Sequence, residues 1–286
     1  MIMQFLFTFR QPYYVTHKYI AFANYDNKLV TGEGISREVL MYDINATRKL
    51  WRTTNYSGYT QKILPLNNKI IVGTSTGTIQ FWDIGTKSSV WFQQSHQTPI
   101  LNLTTDIINN NLLLSTAHDQ TIKLWDIRES ACVGSQKLPY QPHSFTTFGG
   151  NIIVGCNNGS INILNNDFRT IKIVHNNSGA ISNLIIMNNT LISACDSGTI
   201  KTYSLPDFTC TSTLIGHTKP INHLIPLDDA SFISTGFDKL VKIWDLHKTN
   251  NACRNTLEAK KHIYAAAVIN DKIITGANKI DVYSIK

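Results

Sequence analysis

The chain has 286 residues, 42% of them hydrophobic and only 16% charged, with a formal net charge of +7 and a pI near 9.1. That balance excludes an intrinsically disordered chain, which combines low apolar content with high charge, and the length suffices to bury a full core without disulfide or metal staples. A basic excess attracts acidic surfaces in general but says nothing specific about fold or partner.

In chain order, Met1–Phe9 is apolar but has no basic region ahead of it, and Arg10 follows it. No secretory signal is expected, and no apolar stretch reaches the roughly 18 residues of a membrane helix. Gln4–Phe9 reads as a strand with no partner in its own neighbourhood. After it, one apolar-aromatic-acid step recurs as Met41-Tyr42-Asp43, Phe81-Trp82-Asp83, Leu124-Trp125-Asp126, Ile163-Leu164-Asn165, Thr202-Tyr203-Ser204, Ile243-Trp244-Asp245 and Val282-Tyr283-Ser284. Its central position falls at 42, 82, 125, 164, 203, 244 and 283, at intervals of 39 to 43 residues. A fixed period of this length signals a repeat architecture.

The interior of each repeat is alike. The fifth runs from Ile181 to Met187, turns at Asn188-Asn189, returns over Leu191–Ala194, turns at Ser197-Gly198 and ends on Thr199–Tyr203. Asn-Asn and Ser-Gly supply the positive φ angles that tight hairpins require. Gly149-Gly150, Asn67-Asn68 and Asn270-Asp271 fill the first turn of repeats four, two and seven, and repeat one has a longer second hairpin over Glu33–Arg37. Runs of four to seven Ile-, Val- and Leu-rich residues have strand length, and no segment sustains a 3.6-residue period. The expectation is an all-β fold of seven radially repeated four-stranded antiparallel sheets, forming one domain over 1–286. Gln4–Phe9 is expected to supply the missing fourth strand of the seventh sheet and to cover its edge.

The five cysteines (132, 156, 195, 210 and 253) show neither a C-x-x-C pair nor zinc spacing. They read as reduced thiols of a cytoplasmic or nuclear protein.

Two repeats carry more. Repeat three has His96, then Ser115, Asp119 and Trp125; repeat six has Gly216-His217, then Ser234, Asp238 and Trp244. These motifs resemble the WD40-repeat family, over the whole chain and most closely in these two blades. The resemblance implies a seven-bladed β-propeller in which His, Ser, Asp and Trp of a blade form a hydrogen-bonded set. An indole N–H needs an acceptor, and a carboxylate fixes an imidazole tautomer. A Ser-His-Asp catalytic triad is the competing reading; the Trp, the duplication and the lack of a nucleophile elbow favour a fold-specifying role. Val72 and Val154 replace the hydroxyl in blades two and four, with Thr76 and Asn158 at the Asp position, so these blades are expected to lean on apolar packing.

The resemblance also implies which residues face the mouth of the central channel. The residue after the first anchor of each innermost strand gives Ile20, Gln61, Leu101, His143, Ser182, Asn222 and Tyr264; the one before the Asp position adds His118 and Phe237, among others. These positions hold no Arg or Lys, unlike phosphopeptide-reading propellers, which place arginines there. Phe237 and Tyr264 read either as a binding hot spot or as shields of the channel. His118 and His143 lack a third ligand, so no metal is expected; nor is any cofactor or catalytic residue. The leading functional reading is a non-enzymatic scaffold or adaptor for other proteins or peptides, which rests on fold analogy. The alternatives are a substrate-recognition subunit of a ubiquitin ligase and an RNA- or ribonucleoprotein-associated propeller. For the latter the +7 charge counts, against Lys and Arg spread through all blades. No membrane partner is expected.

Overall fold

The computed structural model describes residues 19–33, 37–45, 48–53, 58–105, 111–175, 179–248, 252–277 and 279–285. Their secondary structure is all strand, in chain order. Blade one is β1 (Tyr19–Tyr25), β2 (Lys28–Glu33), β3 (Val39–Asp43) and β4 (Arg48–Arg52). Blade two is β5 (Thr60–Leu66), β6 (Lys69–Thr74), β7 (Thr78–Asp83) and β8 (Ser88–Gln94). Blade three is β9 (Ile100–Thr105), β10 (Leu112–Ala117), β11 (Thr121–Asp126) and β12 (Ala131–Lys137). Blade four is β13 (Pro142–Phe148), β14 (Asn151–Cys156), β15 (Ser160–Leu164) and β16 (Thr170–His175). Blade five is β17 (Ile181–Met187), β18 (Thr190–Cys195), β19 (Thr199–Ser204) and β20 (Thr209–Ile215). Blade six is β21 (Ile221–Pro226), β22 (Ser231–Gly236), β23 (Leu240–Asp245) and β24 (Cys253–Glu258), and blade seven is β25 (Ala265–Ile269), β26 (Lys272–Gly276) and β27 (Ile280–Ser284).

The seven sheets are antiparallel meanders, the blades of a seven-bladed β-propeller. Among the described residues six have four strands and the last has three; the predicted closing strand Gln4–Phe9 lies outside the described residues. The hairpins form where turn chemistry allows. Asn188 and Asn189 both take positive φ (45° and 55°), as do Gly149 and Gly150 (58° and 79°), which gives the tight turn whose twist matches the strands. At Ser197-Gly198 only the glycine does, at 80°.

The chain divides into two compact units, 1–103 with 264–286, and 104–263. In the first, Ala21, Val30, Met41 and Trp51 of blade one meet Ile63, Ile70, Val72 and Trp82 of blade two. The other face of blade one, with Leu29 and Ile44, packs on Ala267, Ile269, Ile274 and Val282 of blade seven. In the second, apolar clusters join blades three to four, four to five and five to six. Each interface removes large aliphatic and aromatic side chains from water, at about 25 cal/mol per Å² of apolar surface.

Two bulges repeat. Between third and fourth strands the register shifts at the aromatic position, leaving Val90, Val133 and Ile171 unpaired and 53–57% exposed on the outer strands. A bulge there twists a free edge away from pairing. The second falls on the innermost strands and matters for function.

Candidate functional site

The innermost strand of five blades carries a register shift at one place: Tyr19/Ala21, Thr60/Lys62, Pro142/Ser144, Ile181/Asn183 and Ile221/His223. The extra residues are Ile20, Gln61, His143, Ser182 and Asn222, the positions expected to face the channel mouth. A bulge leaves its extra residue unpaired and re-aims its side chain. At four of the five, two polar residues separate the flanking anchors: Gln61-Lys62, His143-Ser144, Ser182-Asn183 and Asn222-His223.

In the unit 104–263, two of these residues are already engaged. Ser182 Oγ donates to the carbonyl of Ile221 and, at 3.2 Å, to that of Ala194. Asn222 Nδ2 donates to Ile263 O at 2.7 Å. With Ser144 Oγ donating to Ile181 O at 3.2 Å, they latch each blade to the first anchor of the next. His143 is different. Its Nε2–H donates to Gln141 Oε1 at 3.2 Å, and the amide nitrogen of Gln141 bonds Nδ1 of the exposed His118. Gln141, which the motifs did not single out, thus joins two imidazoles. Burial lowers the His143 pKa, against the opposing pull of Asp196, and His118 adds to the lowering. Burial raises the Asp196 carboxyl.

Phe237 is half-buried and braced edge-on by His262, ring centroids 6.3 Å apart at 77°, with His262 Nδ1 bonded to the Phe237 carbonyl. His262 is a second residue that the repeat pattern did not point to. In the other unit, Gln61 and Leu101 are half-buried on β5 and β9, and Tyr264 is half-buried ahead of β25, its N–H held by Gly276 O at 2.9 Å.

Blade six brings its four tetrad residues together. Asp238 accepts from His217 Nδ1–H at 2.8 Å, which leaves Nε2 to accept from the Ser234 hydroxyl at 2.7 Å. Ser234 Oγ in turn accepts the Trp244 indole N–H at 2.7 Å. Burial holds the His217 pKa down although Asp238 pulls it up, so the neutral tautomer that this relay needs is the one the site favours. The order Asp-His-Ser is that of a hydrolase triad, but Ser234 is 0% exposed, and a sealed hydroxyl cannot reach a substrate carbonyl. In blade three Trp125 donates to Ser115 at 2.9 Å. There Asp119 accepts from the Thr121 N–H and hydroxyl, and His96 is buried.

The blades without a tetrad add other side-chain hydrogen bonds to their apolar packing. In blade two Gln80 Oε1 accepts the Trp82 indole at 3.2 Å where Val72 offers nothing, and Thr74, Thr76 and Thr78 bond one another at 2.6–3.4 Å. Blade five has the same cluster as Cys195, Ser197 and Thr199, at 2.8–3.0 Å. In blade four Ser160 donates to Asn158, and Asn162 to Cys156 and Ser160. The reason is volume. A Cβ on Gly236 would sit 3.0 Å from His217 Nδ1, so the imidazole needs a small residue there. Where Thr or Cys stands instead, a hydroxyl or thiol cluster fills the space.

Among the described residues no three His, Cys, Asp or Glu side chains gather to hold a metal, and no helix is long and apolar enough to cross a membrane. All five cysteines are free thiols.

A family model described as "WD domain, G-beta repeat" matches residues 88–126 and 208–245, which include blade three's Trp125 and blade six's tetrad. The chain is 21% identical over 280 residues to Protein SUPPRESSOR OF PHYA-105 1 of Arabidopsis thaliana, covering 91% of this chain and 24% of that protein. It is 33% identical over 88 residues to Ribosome biogenesis protein ytm1 of Pyrenophora tritici-repentis, covering 30% of this chain and 19% of that one. The chain thus spans about a quarter or less of the length of these relatives. Among solved structures, the computationally designed Ika8 protein superposes with a TM-score of 0.75 at 18% identity, over 94% of this chain and 96% of that one.

Proposed function

We propose that this chain, two of whose repeats match the WD40 family model, is a non-enzymatic platform that binds other proteins through the bulged ends of its innermost strands. The observation that carries this reading is the bulge itself, repeated at one register in five blades. A bulge leaves its extra residue out of the ladder and re-aims its side chain. On unit 104–263 the side chains left for a partner are His118, Gln141 and His143, with Phe237 braced by His262. An aromatic held rigid by its neighbour loses little entropy on binding and suits a hot spot. The sealed Ser234 and the absence of a metal cluster among the described residues give no support to an enzymatic reading.

Affinity purification with mass spectrometry tests it, comparing the wild-type chain with Phe237→Ala, Tyr264→Ala and His143→Ala. Recovery of a reproducible partner set should fall about tenfold or more for at least one variant, as at an interface hot spot. Unchanged recovery from all three folded variants rejects the bulged ends as the binding face.

The similarity to a ribosome biogenesis protein, together with the +7 charge, favours a second reading, association with a ribonucleoprotein. Binding to a structured RNA with a steep salt dependence would support it, and salt-insensitive or absent binding would remove it.

A further inference from the structure

We propose that Gln141 is a positioning residue of the binding face: its amide fixes the tautomer of His118, so that the exposed edge of that ring carries an N–H for an uncharged carbonyl oxygen of the bound protein. This rests on the platform reading above and names the partner's chemistry at one point of it.

Gln141 is itself held in place. Its carbonyl accepts the Asn157 N–H at 2.9 Å, and the ring of Pro142, which follows, restricts its backbone. The side-chain amide stands between three groups. Its nitrogen faces Nδ1 of His118 and, at 3.5 Å, the carbonyl of the same residue; its oxygen accepts from His143 Nε2–H at 3.2 Å. A main-chain carbonyl only accepts, so it sets which end of the amide turns to His118. The amide nitrogen only donates, so Nδ1 of His118 must hold a lone pair and the proton of the neutral ring sits on Nε2. His118 is exposed, and nothing among the described residues bonds that Nε2.

The joining of blades does not call on this row. In blades five and six the bulge residue itself makes the latch to the next blade, through Ser182 and Asn222. In blade four Ser144 makes it instead, to Ile181 O, and the bulge residue His143 turns to Gln141. Two imidazoles and an amide thus order one another, which fixes what the surface offers. An offered N–H takes an acceptor. Asp196 is exposed and near enough to pull on His143, and its negative charge repels a carboxylate arriving at the same row. An uncharged carbonyl of the docked protein meets no such penalty.

The test uses the intact chain, isotope-labelled at histidine nitrogen, at about pH 8, where an ordinary imidazole is neutral. Long-range proton–nitrogen NMR spectra distinguish the two tautomers, and the His118 signals are assigned by their loss in His118→Gln. The wild-type ring should carry its proton on Nε2. In Gln141→Glu both carboxylate oxygens accept, so the proton should move to Nδ1; in Gln141→Leu the two tautomers should mix. A wild-type ring protonated on Nδ1, or one indifferent to both variants, overturns the proposal with no partner present. Recovery of the partner set found with the wild-type chain should fall about tenfold or more in Gln141→Glu. Adding His118→Gln should restore it, since the glutamine amide presents its own N–H where the ring Nε2 stood. A loss that His118→Gln leaves unrestored is repulsion by the added carboxylate and overturns the proposal, as does no loss at all. If these arms fail while Phe237→Ala still loses partners, the positioning role falls and the platform reading stands.

Discussion

Replacing Ser234 with Ala removes one oxygen from the centre of the blade-six relay. That oxygen accepts the Trp244 indole N–H and donates to His217 Nε2, each at 2.7 Å, at a site with 0% exposure. The substitution leaves a buried donor and a buried acceptor unsatisfied, each costing about 1–3 kcal/mol. Almost no volume is lost, so the cavity contribution is small. Because the two bonds polarise one another, the sum is not strictly additive, and a total loss of about 2–4 kcal/mol is expected. Urea denaturation followed by tryptophan fluorescence measures it, alongside Trp244→Phe and the double variant. Once the indole N–H is gone, Ser234→Ala should cost less, giving a coupling of about 1 kcal/mol or more. A loss below about 0.5 kcal/mol, or strict additivity, would refute the relay as the lock of blade six.

The neighbouring residue supplies a contrast. Thr235 Oγ1 is buried with no hydrogen-bond partner, so Thr235→Val should leave the urea midpoint unchanged or raise it, since a methyl suits that site better than an orphan hydroxyl; a clear loss would reveal a partner for that oxygen. Gly77→Ala should destabilise by more than about 1 kcal/mol, because φ is +81° there and the new Cβ would lie 2.1 Å from the His96 carbonyl oxygen; a neutral result in the same melts would show that this turn relaxes freely. Stability should also fall as pH drops from about 7 to about 5.5. Burial lowers both His143 and His217, so below the unfolded imidazole value near 6.5 the unfolded chain binds more protons and gains relative to the fold. Asp196, raised by burial, acts in the opposite sense. Urea midpoints across that range check this, and a flat profile would mean that neither imidazole is protected from protons.

Strands and turns were legible because their signals are local. The Asn188-Asn189 turn and the recurring aromatic at 42 to 283 announce hairpins at a fixed period without help from tertiary contacts. Trp125, Trp244 and their serines were legible as pairs because two copies in one chain expose the pattern. Gln80 was not: its amide serves Trp82 only because Val72 lies across the strand pair, and that depends on register, which a period count does not resolve. Gln141 and His262 lie in connections, where position in space follows from packing of neighbouring sheets.

The two ways of filling the space behind the third strand have a consequence for how such a chain can change. In blade four, Leu138 stands four residues ahead of its first strand anchor, as His217 does in blade six, and it is buried in the apolar cluster there. Installing the full lock would need His for Leu138, Gly for Cys156, Asp for Asn158, Ser for Val154 and Trp for Leu164. Taken singly, His for Leu138 or Ser for Val154 strands a polar atom in hydrocarbon and Gly for Cys156 opens a void, although Asp for Asn158 would keep the bonds from Ser160, so the path runs through less stable intermediates. Blades of the two kinds are therefore separated by a barrier in sequence space, and a duplicated blade is expected to keep the lock it was copied with.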